Sequence, residues 1–348
     1  MVCTIADGFA SHIRLPEGGR LVLEAKAGRL ELTVDGRLEC QLTCVAQSAN
    51  TLRIGFADPQ VADTRVINGV YGTLYSLFSG DASLREVEWV LPAHRQLDGL
   101  LWREGLTVAV ERTAETHVAR IPRALFWQRR AAFLAASAPL PEVFTMTAGK
   151  RHPVRPPHPE GTFYRRYIPE LSSTIAFHTI DPSRDLRVFN TWMNDPRVSA
   201  FWEMPGSESE HAKYIADMLA DPRVHPVVGT FDEQPFGYYE LYWAKEDRIA
   251  PYYDVDDYDR GLHMLVGEQR FRGPARVRAW LRSLVHYLFL DDPRTRRVVA
   301  EPRADNQKMI DYLCGSAGFY VEKQFDFPHK RAAMAIVPRE TFFAQFGP

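Results

Sequence analysis

Two short segments in the last third of the chain contain residue types that can move a proton beside a bound phosphate group. His263 lies in the apolar segment GLHMLV, and RFRGPAR, which follows it, combines three arginines with Gly273. An imidazole gives or takes a proton near neutral pH. Free N–H groups of a glycine turn at a helix start bind phosphate oxygens. The structural alternative is a histidine whose hydrogen bonds are satisfied within an ordinary strand.

The elements that would position these residues follow from the surrounding pattern. Alternation predicts a strand with His263 and Leu265 on one face and Leu262 on the other. Gly273 and Pro274 predict a helix start, because glycine is tolerated at the cap and proline at the first helical position. The apolar residues that follow predict one buried stripe: Val277, Trp280, Leu281, Leu284, Val285 and Leu288.

The turn before that helix has the spacing of a phosphate-binding loop. Arg270, Gly273 and Ala275 fit the pattern Arg/Gln-x-x-Gly-x-Gly/Ala. The positive end of the helix and the charges of Arg272 and Arg276 would favour a pyrophosphate there. A Gly-Pro helix start also occurs for purely structural reasons, so the spacing alone leaves both interpretations open.

Length and charge narrow the classes of function. The chain has 348 residues, 45% of them hydrophobic and 25% charged, and this length predicts two domains. The formal net charge is −2 and the pI is near 6.6. We therefore expect neither nucleic acid nor a membrane surface as a partner, because both require concentrated positive charge. The sequence shows no apolar run of spanning length and no signal peptide, which predicts a cytoplasmic protein.

The cysteines give no indication of a metal site. Cys3, Cys40, Cys44 and Cys314 include only one close pair, and no histidines stand at ligand spacing beside it. We expect reduced structural thiols and no metal.

The clearest boundary in the chain is the proline-rich segment GKRHPVRPPHPEG at 149–161, which we interpret as a linker. It would separate an N-terminal α+β domain, 1–148, from a second domain, 162–348. Short alternating segments broken by Gly and Asp-Gly predict a strand meander in the first domain. The first domain contains no group of residues to which we can assign chemistry.

The elements after the linker have a definite predicted order. SESEHAKYIADMLAD predicts a helix capped by Ser207 or Ser209, and Asp305 can cap the helix that begins at NQKMID. The predicted order is two helices, three strands, a helix, a strand, a helix and two closing strands. This order places the glycine turn between a strand and a helix, where a phosphate site is expected.

In this order, from about Phe163 to Phe343, the chain resembles the GNAT superfamily of acyl-CoA-dependent N-acyltransferases. Within it, the chain is similar to the siderophore-pathway branch typified by aerobactin-type hydroxylysine acetyltransferases. The segments that carry the resemblance are WMNDPRV, YYELYWAKEDRI, DRGLHMLVGEQRFRG, EPRADNQ and FDFPHKRAAM. The resemblance implies an α+β fold with a mixed, splayed central sheet flanked by helices. A weaker resemblance at RALFWQ implies that 1–148 is a degenerate module of similar fold.

The resemblance also implies roles for individual residues. His263 matches the general base and Asp305 the acidic residue paired with it, while an N–H near Leu265 or Val266 would stabilise the oxyanion. Tyr312 is the candidate acid for the departing thiolate. Acetyl-CoA is the implied co-substrate. Its implied contacts are Leu265, Val266, Gly267, Arg270, Arg272, Gly273, Pro274, Ala275, Arg276 and Asn306.

Four further residues are predicted to bind the acceptor: Trp202, Tyr239, Glu240 and Trp243. Aromatic residues at strand positions also serve as core, so each has a structural alternative. Asp305 likewise has one, because helix capping alone would explain it.

The predicted function is transfer of an acetyl group to the hydroxylated side-chain nitrogen of hydroxylysine, which yields a siderophore hydroxamate. The same chemistry on hydroxyornithine or N-hydroxycadaverine, with acetyl- or succinyl-CoA, stays open. A non-catalytic CoA-binding scaffold is the alternative of another class. The expected partners are a small N-hydroxylated amine and, functionally, the other enzymes of a siderophore pathway. The sequence does not predict an oligomeric state.

Overall fold

The computed structural model describes residues 9–14, 19–26, 28–58, 60, 62–136, 140 and 142–348. The chain forms two compact units, Met1–Arg129 with Tyr167–Ser173, and Arg130–Arg166 with Thr174–Pro348. Among the described residues no disulfide joins Cys40, Cys44 or Cys314, and Cys3 lies outside them. No helix in the described part is both long and apolar enough to cross a membrane.

The first unit is built on an eight-stranded sheet. Its strands are β1 (Ala10–Arg14), β2 (Arg20–Lys26), β3 (Arg29–Val34), β4 (Arg37–Ser48), β5 (Thr51–Phe56), β6 (Glu86–Pro92), β7 (Ala109–Arg112) and β8 (Thr116–Pro122). Its helices are α1 (Asp63–Gly80), α2 (Leu97–Arg103) and α3 (Arg123–Phe126). The strand order is β1-β2-β3-β4-β5-β6-β8-β7, and only β5 and β6 run parallel.

The second unit contains a small hairpin and a second eight-stranded sheet. The hairpin strands are β9 (Phe144–Thr147) and β10 (Lys150–Pro153). The sheet strands are β11 (Thr162–Ile168), β12 (Ser173–Thr179), β13 (Val224–Phe231), β14 (Gln234–Trp243), β15 (Arg260–Val266), β16 (Arg297–Ala300), β17 (Tyr320–Asp326) and β18 (Arg331–Pro338). The helices are α4 (Pro182–Met193), α5 (Pro196–Trp202), α6 (Glu208–Ala220), α7 (Pro274–Asp291), α8 (Gln307–Ala317) and α9 (Arg339–Thr341).

The two large sheets repeat one topology. The second has the order β11-β12-β13-β14-β15-β16-β18-β17, which is the order of the first sheet strand for strand. In each, the fifth and sixth strands run parallel and an 18-residue helix, α1 or α7, connects them. This agreement is what two modules of one fold would produce.

Two differences separate the modules. In the first, β5 and β6 stay paired through five residue pairs, from Thr51 opposite Glu86 to Gly55 opposite Val90. In the second, β15 and β16 pair at two positions only. The second unit also inserts α4, α5 and α6 between β12 and β13, whereas in the first β2 ends at Lys26 and β3 begins at Arg29. The first sheet therefore has no open edge between its parallel strands and no helices inserted between β2 and β3.

The segment 149–161 is packed into the second unit, so its structure differs from that of the predicted linker. Lys150–Pro153 forms β10, and Arg155 donates two hydrogen bonds to the carboxylate of Glu246 at 2.7 and 2.6 Å. Both side chains are 2% exposed. Residues 130–148 also belong to this unit, so the compact units divide before the predicted boundary at 148. The physical reason is a buried charge pair that the local composition does not reveal.

Local sequence explains where the helices of the second unit begin. Ser207 caps α6 through a full capping box with Glu210, and Gly273 and Pro274 start α7. The cap of α8 is Asn306, whose side chain accepts from the N–H of Met309. The prediction that Asp305 caps this helix is wrong.

Candidate active site

The parallel strands β15 and β16 part directly beside the predicted histidine. They pair at Arg260 with Val298 and at Gly261 with Val299, and no further. Beyond that point β16 ends at Ala300, while β15 continues to Val266 along β14 alone. The edge of β15 from Leu262 onward therefore has no neighbouring strand on that side. An edge of this kind can pair with the amide groups of an extended ligand, as an added strand would.

His263 lies at the beginning of this open edge, opposite Glu240 on β14. Its Nδ1 donates to Oε2 of Glu240 at 2.9 Å, and its Nε2 donates to Oε1 of Glu301 at 2.6 Å. Glu301 is the residue that directly follows β16. The histidine side chain is 25% exposed, but that of Glu301 is fully buried. The parting of the strands thus brings one imidazole between two carboxylates.

Tyrosine hydroxyls satisfy the remaining oxygens of both glutamates. Tyr242 donates to Oε2 of Glu301 at 2.6 Å. Tyr214, from α6, and Tyr238 both donate to Oε1 of Glu240, the latter at 3.2 Å. Each carboxylate is therefore held in one orientation by groups other than His263, and so is the ring between them.

Both hydrogen-bonding partners of the His263 ring are carboxylates, and this sets its charge. A carboxylate only accepts, so both ring nitrogens must carry hydrogen and the ring is an imidazolium. Burial by itself lowers the pKa of His263, but Glu301 and Glu240 outweigh it and raise that pKa to about 10. Burial by itself raises the pKa of Glu301, but the charge of His263 lowers it to about 2. At neutral pH the group consists of one cation and two anions.

The cluster lies between two apolar regions on one face of the sheet. Beneath α4, α5 and α6, Phe189, Ile215, Tyr238 and Leu265 are buried together. At the other end, Tyr242 packs with residues that include Ile249, Phe327 and Met334. Lys330 is also part of the polar cluster at this end, because its Nζ donates a hydrogen bond to the main-chain oxygen of Glu301 at 2.7 Å.

The two residues predicted to be catalytic have different surroundings in the structure. His263 is at the cluster, but the side chain of Asp305 is 68% exposed and is bonded by Arg303 at 2.7 and 3.0 Å. The carboxylate that this segment offers to His263 belongs to Glu301. Sequence inspection missed Glu301, although a glutamate directly after the buried run Val298–Ala300 is a signal that could have found it.

The four predicted acceptor residues divide between the two faces of β14. Glu240 faces His263, and the half-buried Trp202 packs on Tyr238, with 5.7 Å between ring centroids. Tyr239 and Trp243 are on the opposite face. Tyr239 is fully buried, 5.8 Å from the ring of Trp280 on α7. The guanidinium groups of Arg155 and Arg260 lie 4.1 and 4.0 Å from the ring centroid of Trp243. The structure therefore corrects the acceptor assignment of Tyr239 and Trp243, because their faces are occupied by core.

Tyr239 provides a test of this correction, because its buried hydroxyl has no hydrogen-bond partner among the described residues. We expect Tyr239→Phe to leave KM and kcat within about twofold of wild type and to raise the free energy of unfolding by up to about 1 kcal/mol, since an unsatisfied polar group is removed. Steady-state kinetics and denaturant unfolding measure both. A rise of about tenfold in KM for the acceptor would contradict the core assignment.

The start of α7 has the features expected of a pyrophosphate site. No side chain caps the helix, and the backbone of Gly273 has φ 120°, with open space where a Cβ would stand. The first N–H groups, such as that of Ala275, precede any intrahelical acceptor. Nη1 of Arg276 is buried without a partner among the described residues. Arg270 and Arg272 are exposed beside the turn.

Other predicted cofactor residues have structural roles that their sequence context did not reveal. The N–H of Gly267 donates to Phe236 at 2.9 Å, and Arg197 donates to the carbonyls of Val266 and Gly267 at 2.8 and 2.7 Å. A Cβ on Gly267 would lie 2.2 Å from the ring of Trp192. Gly267 therefore permits close packing and has no N–H to offer, and Asn306 is a helix cap. Leu265 and Val266 lie on β15 where it has no strand neighbour on the β16 side, but the carbonyl of Val266 is already bonded by Arg197.

Comparisons with known proteins agree with this geometry. Residues 181–327 match the family described as acetyltransferase (GNAT) domain. An N(6)-hydroxylysine O-acetyltransferase of Escherichia coli is 47% identical over 195 residues, which are 56% of this chain and 62% of that protein. An N(5)-hydroxyornithine:cis-anhydromevalonyl coenzyme A-N(5)-transacylase of Beauveria bassiana is 46% identical over 196 residues, 55% of this chain and 43% of that protein. The chain thus spans about half the length of these relatives.

A solved structure supports the fold independently. An uncharacterized protein from Bacillus halodurans aligns with a TM-score of 0.50 and 26% identity, over 53% of this chain and 94% of the other. The predicted fold class, α+β with a splayed mixed sheet, is confirmed for the second unit. In the described residues, no group of three or more His, Cys, Asp or Glu side chains is arranged to hold a metal ion.

Proposed function

We propose that this protein transfers an acetyl group from acetyl-CoA to the hydroxylated side-chain nitrogen of hydroxylysine or a close homologue, because residues 181–327 match the acetyltransferase (GNAT) domain family. The product is a hydroxamate for siderophore biosynthesis. Support comes from the names of two relatives: an N(6)-hydroxylysine O-acetyltransferase names the acceptor, and an N(5)-hydroxyornithine N(5)-transacylase names transfer to nitrogen. The enzyme would work in the cytoplasm, with an amine hydroxylase before it in the pathway and a siderophore-assembling enzyme after it.

The observation that carries the proposal is the position of His263 at the point where β15 and β16 part. In the first unit, which has the same strand order, the equivalent strands remain paired. The open edge is therefore a feature of the second unit, and the charged cluster stands beside it. A thioester seated along β15 would bring its carbonyl group close to the imidazole.

Binding of acetyl-CoA is assigned to two groups of residues. The uncapped start of α7, from Gly273 to Arg276, would hold the pyrophosphate, and the open edge of β15 would pair with the pantetheine amides. The buried Nη1 of Arg276 fits this assignment, because it lacks a partner that a phosphate oxygen would supply. The thioester supplies the activated acetyl group.

The acceptor needs little activation. A hydroxylamine nitrogen is largely unprotonated near neutral pH and is nucleophilic, so no strong base is required before it attacks the thioester carbon. The enzyme must instead protonate the departing sulfur and remove one proton from the nitrogen. One group that carries a proton at the outset can do both in succession.

We assign these two steps to His263, whose ring is held as an imidazolium. After the nitrogen has bonded to the carbonyl carbon, His263 gives a proton to the sulfur as the C–S bond breaks. The neutral imidazole then takes the proton that the nitrogen loses and returns to its starting state. This revises the prediction, in which His263 was the general base and Tyr312 the candidate acid for the thiolate, because a ring that starts as an imidazolium must act as an acid before it can act as a base. Glu240 and Glu301 hold the ring in position before the transfer; the nitrogen that gives its proton exchanges its glutamate for the sulfur, while the other nitrogen stays bonded.

A single assay tests the proposal. The protein is incubated with acetyl-CoA and N6-hydroxylysine, with lysine as the control acceptor, and both released thiol and ferric-hydroxamate colour are measured. Thiol and colour together, with hydroxylysine only, support N-acylation of the hydroxylated nitrogen. Thiol without colour would place the acetyl group on oxygen or on another nitrogen and would overturn the proposal. CoA binding without thiol release on any acceptor would identify a scaffold.

A further inference from the structure

Three basic side chains surround one phenylalanine ring beside the catalytic cluster. The Arg248 guanidinium lies 5.5 Å from the centroid of Phe327, and Nζ of Lys330 lies 5.6 Å from the same centroid. The His329 ring stacks on Phe327 at 5.4 Å, with 18° between the planes. We call Arg248, His329 and Lys330 the basic rim.

The basic rim has no carboxylate partner. No ion pair joins Arg248, His329 or Lys330 to an acidic side chain in the part of the chain that the structure describes. The exposed Arg248 also forms no hydrogen bond there, and the bond from Lys330 goes to a main-chain carbonyl. Burial and the charges of Arg248 and Lys330 lower the pKa of His329, and they outweigh the raising effects of Glu203 and Glu301. Arg248 and Lys330 are two like charges without an ion-pair partner in the described part of the chain, and this favours binding of an anion.

The acidic groups near the rim are already engaged. The carboxylate of Glu301 bonds His263 and Tyr242, and Asp247 accepts from the N–H of Ile249. Arg303, the next basic residue along this side, is paired with Asp305. An anion that binds the rim would therefore come from outside the chain.

The position of the rim indicates which part of a substrate it would contact. Lys330 is bonded to the main chain of Glu301, whose carboxylate bonds the His263 ring. Arg248, which lies against the same Phe327 ring as Lys330, is exposed. A substrate whose reacting nitrogen is at His263 would thus place its far end at the rim.

We propose that Arg248, His329 and Lys330 bind a substrate carboxylate, and that this is the α-carboxylate of an N-hydroxylated amino acid. The inference rests on the proposed acyl transfer and specifies its acceptor class. A diamine without a carboxylate, such as N-hydroxycadaverine, would bring only its terminal ammonium group to the rim. The positive charges of the rim would repel that group and disfavour binding. The carboxylate that binds the rim could also belong to the acyl donor, as in succinyl-CoA. The experiment must therefore distinguish a carboxylate of the acceptor from one of the donor.

The test uses the full chain and compares two acceptors of equal chain length, N6-hydroxylysine and N-hydroxycadaverine, each with acetyl-CoA. For wild type we expect kcat/KM to be higher for hydroxylysine by about tenfold or more. In Arg248→Gln, KM for hydroxylysine should rise by about tenfold with kcat little changed, since a charge-assisted contact away from the reacting atoms is lost. KM for hydroxycadaverine should stay the same or fall. Arg187→Gln, an exposed arginine on α4, is the matched control.

Two results would overturn the inference while hydroxamate formation still upholds the proposed function. One is an equal KM for both acceptors that Arg248→Gln does not change. The other is that Arg248→Gln weakens transfer of succinyl to hydroxycadaverine but not transfer of acetyl to hydroxylysine. That result would show that the rim binds the carboxylate of the donor. If no acceptor yields hydroxamate, the proposed function fails, and calorimetry then decides the inference. Weaker binding of hydroxylysine to Arg248→Gln than to wild type supports it, and equal binding overturns it.

Discussion

Replacing His263 with alanine is expected to lower kcat by about a hundredfold or more, which is the usual effect of losing a residue that transfers protons. Binding of acetyl-CoA should change little, because the residues assigned to the pyrophosphate are on α7 and the pantetheine edge is main chain. The hydroxylamine is reactive by itself, so residual turnover is expected. The loss should appear in kcat more than in KM, since proton transfer is made only in the transition state.

Thiol release under saturating substrates measures the loss of turnover, and calorimetry measures the dissociation constant of CoA. His263→Gln should show the same loss while keeping a hydrogen-bonding side chain between the two glutamates, which separates proton transfer from packing. His94→Gln, at an exposed position in the first unit, is the control for a histidine change of the same size. Unchanged turnover in His263→Gln would remove His263 from the mechanism.

The second large effect is expected from Glu301→Gln, which neutralises one partner of a buried ion pair. Breaking such a pair typically costs about 3 kcal/mol or more of unfolding free energy, because the remaining charge is left in a poor solvent. The pKa of His263 should fall toward its ordinary value near 6.5, because Glu301 contributes the largest of the raising effects. A lower pKa would leave less of the histidine as imidazolium at pH 8, and kcat should fall there.

The stability that Glu301→Gln loses should depend on pH, and the two pKa values give the direction of that dependence. The pKa of His263 is about 10 in the folded protein against 6.5 for the free group, so its contribution is complete below pH 6.5 and is lost as pH rises through 10. The pKa of Glu301 is about 2 against 4.5, so its contribution is complete above pH 4.5 and is lost as pH falls through 2. The difference between wild type and Glu301→Gln should therefore be greatest between pH 4.5 and 6.5 and shrink toward pH 10.

Denaturant unfolding at several pH values and NMR titration of the His263 ring measure the two consequences. Glu322→Gln is the control, because Glu322 is exposed on the edge strand β17. A His263 pKa that stays near 10 in Glu301→Gln would show that Glu301 does not hold the charge. A stability loss that does not vary with pH would point to packing alone.

The N-terminal unit repeats the topology of the second unit but has no open edge between its parallel strands. Its sheet has the same strand order and a parallel pair joined by a long helix, but that pair remains closed through five positions. A backbone edge already paired with a strand cannot pair with pantetheine. We propose that the first unit is a degenerate module without acyl-CoA binding, as its resemblance to this fold implies.

The sequence by itself determined the features that depend on neighbouring residues. The alternation in GLHMLV placed His263 and Leu262 on opposite faces of a strand, Gly273 and Pro274 started α7, and Ser207 capped α6. These features are local, because side-chain alternation and helix capping involve residues a few positions apart. They were sufficient to identify the strand, the turn and the histidine.

Only the tertiary structure decided which residues meet that histidine. Glu240 and Glu301 are 23 and 38 positions away from it, and they contact it because β14 pairs with β15 and β16 parts from β15. The nearer candidate in the motif, Asp305, points to solvent and bonds Arg303. Strand register also put Tyr239 into the core and Glu240 at the site, although they are adjacent in sequence. Contacts across strands depend on pairing and on where pairing stops, and no local pattern encodes either.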